Sequence, residues 1–317
     1  MPDPNADIGA ADRSRLQPTH SGSDLYAYYS PATDRCDSAL LVEEVPLAVS
    51  CNGVLHAIMM ISPLNVEDFV KGFALSEDLI RSTDDIRAIH IRQSEQTESG
   101  HDLSANDLSA QHLNADIQLQ PQAFKRFLQQ QRSARRGASS CGLCGTDTMQ
   151  QVFPDLQALP LSEPKDYRAL EDLRGRLSEF QQLGQSAGGI HAALLLDQQL
   201  NPLLCREDIG RHNALDKVIG AALTQNINLS QCAVLMSSRC STELVIKAAR
   251  SGLPDLIHLS SPSTLAVKLA EQYRIRIIHL PRKDAARIYA RPEQANASLS
   301  AASTSFNSPA PHSTRAI

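Results

Sequence analysis

The chain has 317 residues, a length that fits two modest domains at about 150 residues each. With 42% hydrophobic and 21% charged residues, it holds enough apolar side chains for a buried core and enough charge to stay in water. The net charge of −5 excludes a polycationic nucleic-acid binder while leaving room for a local basic pocket, and no apolar run approaches the ~20 residues of a membrane span.

Residues 1–35 are polar and read as an unstructured arm. The first 13 lack the basic start and apolar centre of an export signal, so the expected address is the cytoplasm. An α+β domain follows over 36–136. Asn52-Gly53 between the apolar runs 40–50 and 54–61 predicts a hairpin, because both turn positions favour φ > 0. Asn65 is placed to cap a helix carrying Val66, Phe69, Val70, Phe73 and Ile80. Strands are predicted at 86–91 and 115–120, with a polar insert over 93–114 between them. Pro121 opens a helix bearing Phe124, Phe127 and Leu128.

The second domain is assigned to 137–294, ahead of an Ala/Ser/Thr/Pro-rich tail at 295–317. Pro164 starts a predicted helix with Leu170, Leu173, Leu177, Phe180 and Leu183 on one stripe. A hairpin over 191–206 comes next. Helices at 211–224, 242–251 and 263–273 then alternate with strands at 232–237, 255–260 and 275–280. Such alternation predicts an α/β fold: a largely parallel sheet covered by helices on both faces, with ligands at the carboxyl ends of its strands.

Seven cysteines, an odd number in so long a chain, do not make a disulfide scaffold. Cys141-Gly142-Leu143-Cys144-Gly145 places two thiols on a glycine-flanked loop, where the sulfurs are sterically open. Half a zinc site, a dithiol redox pair and a group carrier stay equally open for this motif alone, although no second Cys pair at zinc spacing exists.

The string 206–217 (Arg-Glu-Asp-Ile-Gly-Arg-His-Asn-Ala-Leu-Asp-Lys) runs from a strand end into a helix start, where Arg211, His212 and helical N–H groups welcome an anion. A plainer account also fits: Asp208 caps the helix, and Leu215, Val218 and Ile219 enter the core. Residues 237–243 and 260–264 repeat the polar strand-to-helix corner, and three such corners on one sheet point to a large phosphorylated ligand. A lone His191 after Gly188-Gly189 is the commoner structural histidine. Neither a P-loop nor a Rossmann fingerprint is present.

Taken together, Glu43-Glu44-Val45-Pro46-Leu47, Asn52-Gly53, residues 69–77, Cys141-x-x-Cys144 and residues 206–217 resemble the formate dehydrogenase accessory sulfurtransferase family, FdhD, over about 40–294. The resemblance implies a cytidine-deaminase-like sheet. It also implies a sulfur carrier that takes persulfide sulfur from a cysteine desulfurase onto Cys141. That sulfur passes to the molybdenum cofactor, bis(molybdopterin guanine dinucleotide), before insertion into formate dehydrogenase. The implied cofactor-binding segment is Leu280-Pro281-Arg282-Lys283-Asp284-Ala285, just before Tyr289, Pro292 and Glu293. It departs from the family pattern in lacking a glycine and a second arginine, and Ser238 stands where many relatives have glycine. No resident metal is implied, and a homodimer is open. The rival reading is a zinc-stapled cofactor chaperone without sulfur transfer.

Overall fold

Tyrosine and leucine side chains draw the chain into strands earlier than their polar neighbours suggest. The computed structural model describes residues 22–93, 112–134, 153–162, 165–166, 170 and 173–289. In it, β1 (Ser23–Ser30) and β2 (Arg35–Val42) pair antiparallel as a ribbon separate from the other sheets. Residues 23–35 are therefore strand and turn, where the sequence predicted an unstructured arm. Tyr26, Tyr28, Tyr29 and Leu41 of this ribbon stay exposed, so no buried alternation announces it.

β3 (Val45–Cys51) buries every second residue, and Asn52 and Gly53, at φ 47° and 78°, turn it into β4 (Val54–Ile61). Helix α1 (Val66–Ser76) follows. Asn65 precedes it in the left-handed region and makes no side-chain cap bond, which corrects its expected role, and Ile80 is buried from beyond the last turn. Next come β5 (Ile86–Gln93), β6 (Leu113–Leu119) and α2 (Pro121–Ala134). The sheet order is β4-β3-β6-β5, and Phe69, Phe73 and Phe127 pack on Leu47, Val49 and Ile117.

Instead of one helix from Pro164, which lies outside the described residues, α3 (Leu173–Phe180) breaks at Gln181 before the short α4 (Gln182–Ser186). Leu170, Leu173, Leu177 and Leu183 are nevertheless all buried, so the apolar stripe survives the break. Then follow β7 (His191–Leu196), β8 (Pro202–Asp208), α5 (Arg211–Thr224), β9 (Ala233–Met236), α6 (Thr242–Ser251), β10 (Asp255–His258), α7 (Thr264–Tyr273), β11 (Arg276–His279) and β12 (Arg287–Ile288).

These strands form one sheet in the order β12-β11-β10-β9-β7-β8. β9, β10 and β11 are parallel, and β7 runs against β9 and β8, so β8 points the same way as the parallel three. One face packs on Val218, Leu244 and Leu269 of α5, α6 and α7, and the other on Leu173 and Leu177 of α3. The fold is mixed α/β. No described helix is long and apolar enough to cross a membrane.

The two sheets meet where α1 crosses α5. A Cβ on Gly72 would lie 1.8 Å from the Asp216 carbonyl oxygen, and one on Gly220 1.8 Å from that of Asp68, so backbone touches backbone. Buried charge locks this seam. Lys217 Nζ lies 2.7 Å from Asp208 and donates to the Ser62 carbonyl at 2.9 Å. Asp208 also accepts from the Ser62 and Gly210 N–H groups and from Asn213. Lys247 sits 2.9 Å from Asp216 and 2.8 Å from Glu77. Burial works against the Lys247 charge, but Asp216 and Glu77 outweigh it and raise its pKa.

Candidate functional site

All four parallel-running strands end at one edge, and α5, α6 and α7 begin there. His191, at the start of β7, reaches the same edge and places Nδ1 3.2 Å from Ser237 Oγ, just past β9. His212, in the first turn of α5, sets Nε2 2.5 Å from Glu243 of α6 and 3.4 Å from Ser241 Oγ. Arg211 approaches Glu243 only to 3.9 Å and makes no shorter polar contact among the described residues. Burial, then the nearby Arg211 and His212, hold the His191 pKa below its ordinary value. The hydrogen bond from His212 pulls the Glu243 carboxyl down.

A second basic group lies at the other end of this edge. The predicted cofactor segment leaves β11 here: Leu280 is buried, Pro281 half-buried, and Arg282, Lys283, Asp284 and Ala285 are exposed. Arg174 of α3 donates to the carbonyls of Leu259 and Leu280, tying together the chain beyond β10 and β11. Its pKa is lowered by burial and by its neighbour Arg282. His279, 6% exposed, stacks on Tyr289 and leaves Nδ1 without a partner. Burial, Arg287 and Arg174 lower its pKa. Of this group's arginines, Arg287 has a carboxylate partner in Asp284 at 2.6 Å.

Between the two groups, His258 ends β10 fully buried. Its Nδ1 faces the Ser238 carbonyl at 3.1 Å, which requires the proton on Nδ1 and leaves Nε2 as an unpartnered lone pair. Burial pushes its pKa down to about 4.

The structure divides the string 206–217 by task. Arg206 pairs with Asp68 at 2.8 Å, Glu207 accepts from the Leu183 and Gly184 N–H groups, and Asp208, Asn213, Asp216 and Lys217 serve the seam. The N-cap of α5 is Gly210, and Asp208 instead accepts from the Gly210 N–H from two residues further back. Only Arg211 and His212 turn their side chains to the edge. His191, read as structural in sequence, joins them. Glu243 belongs to the polar corner 237–243 read from the sequence, whereas Arg174 and His279 were missed as members of these groups. A polar or charged residue ending a buried apolar strand was the available signal for His279; Arg174 had none.

Cys141 and Cys144 lie outside the described residues. Among the described cysteines, burial pushes Cys51, Cys205 and Cys240 up to about 12 and raises Cys232, so none of these four is activated as a thiolate. No three His, Cys, Asp or Glu residues gather as a metal site among the described residues.

Fold and edge together define a mixed α/β protein whose six-stranded sheet gathers arginines and histidines at its carboxyl edge. The FdhD/NarQ family model matches residues 42–296. Sulfur carrier protein FdhD of Cupriavidus necator is 36% identical over 258 residues, covering 80% of this chain and 83% of the relative. That of Bordetella parapertussis is 34% identical over 260 residues, covering 80% and 86%. A crystal structure described as a formate dehydrogenase accessory protein, from Desulfotalea psychrophila, superposes with a TM-score of 0.58 at 19% identity, covering 86% of this chain and 98% of that one. The chain belongs to the FdhD/NarQ family.

Proposed function

We propose that the protein is a cytoplasmic sulfurtransferase that carries sulfur as a persulfide on Cys141 and delivers it to the molybdenum cofactor bound for formate dehydrogenase. The observation that carries this reading is the family membership, joined to a Cys-x-x-Cys motif in the same chain.

In the loading step, the Cys141 thiolate attacks the terminal sulfur of a cysteine desulfurase persulfide. One S–S bond breaks as another forms, the desulfurase leaves as thiolate, and no net oxidation occurs. Delivery as sulfide needs two electrons. A thiol, for which Cys144 stands three residues away, attacks the Cys141 sulfur, forms a disulfide and expels hydrosulfide. Hydrosulfide and a proton then replace an oxo ligand of the acceptor metal, and water leaves. The acceptor, bis(molybdopterin guanine dinucleotide), is substrate here. Its phosphates suit Arg282 and Lys283 in 280–285, backed by Arg174.

Mass spectrometry of the 141–144 peptide after incubation with a cysteine desulfurase and cysteine tests the reading. The expected result is the added mass of one sulfur on Cys141, and loss of formate dehydrogenase activity when Cys141→Ala replaces the native chain in a deletion strain. A Cys141→Ala chain that fully supports the enzyme overturns it.

A further inference from the structure

We draw no further inference here: the strongest candidate, the exposed apolar surface of the β1–β2 ribbon formed by Leu25, Tyr26, Tyr28, Tyr29, Leu40 and Leu41, carries nothing because no feature among the described residues shows what covers it.

Discussion

The α1–α5 seam and the carboxyl edge draw on the same stretch of chain and treat charge in opposite ways. At the seam Asp208, Asp216, Lys217 and Lys247 are at least nine-tenths buried, and each meets an opposite charge within 2.9 Å. Among the described residues, at the edge Arg211 waits at 3.9 Å from its nearest carboxylate, Arg174 stands beside another arginine, and His258 and His279 keep unpartnered ring nitrogens. Paired charge in a dry interior fixes geometry, because removing one partner leaves the other stranded. Unpaired charge at an open edge contributes little to folding and remains available to a ligand. One twelve-residue string therefore builds both the frame and the place the frame presents.

Lys217→Met should break the frame and spare the edge. It strands Asp208 in a dry site, with an expected cost of about 3–5 kcal/mol in denaturant unfolding. Persulfide loading of Cys141 per folded molecule should stay near native. If Lys217→Met unfolds no more easily than the native chain, the seam is not held by its buried pairs. Gly72→Ala should damage the same seam severely, because the new methyl would lie 1.8 Å from the Asp216 carbonyl oxygen and the two helix backbones would have to separate.

Acid separates the regions next. His258 titrates at about 4 when folded, below an ordinary histidine, so the unfolded chain binds the proton first. Its contribution is complete above the ordinary pKa of about 6.5 and is lost as pH falls toward 4, at up to about 1.4 kcal/mol per pH unit. Burial lowers the His279 and His191 pKa values too, and both act with the same sign. The slope of stability against pH in this window should therefore flatten in His258→Gln relative to the native chain, whatever the absolute stability. An unchanged slope would show that His258 is not held neutral.

How far these regions were legible in sequence follows from which forces shaped them. Buried strands such as 233–236 and helices such as 211–224 carry a dense apolar pattern, and their positions are read within a residue or two. The β1–β2 ribbon exposes Tyr26, Tyr28 and Leu41, so no alternation betrays it. Residues 206–217 are legible as a cluster, but which charges face inward depends on Asp68, Ser62 and Lys247, brought from other parts of the chain by the helix crossing. Arg174 is invisible for the same reason, since its partners are backbone carbonyls about a hundred residues away.

The smallest effect gives the finest test of the contrast, because two serines hold the same formal position. Ser263 caps α7, and Ser263→Ala should cost about 1 kcal/mol. Ser241 stands at the N-cap of α6 with extended backbone, yet its hydroxyl lies toward His212 rather than on the helix N–H groups. Ser241→Ala should thus change stability by less than about 0.5 kcal/mol, the range of a surface change that touches no special feature. Equal costs at the two positions would mean that Ser241 satisfies its own helix. A cost confined to Ser263 separates a helix start held by its own side chain from one whose serine turns to His212 instead.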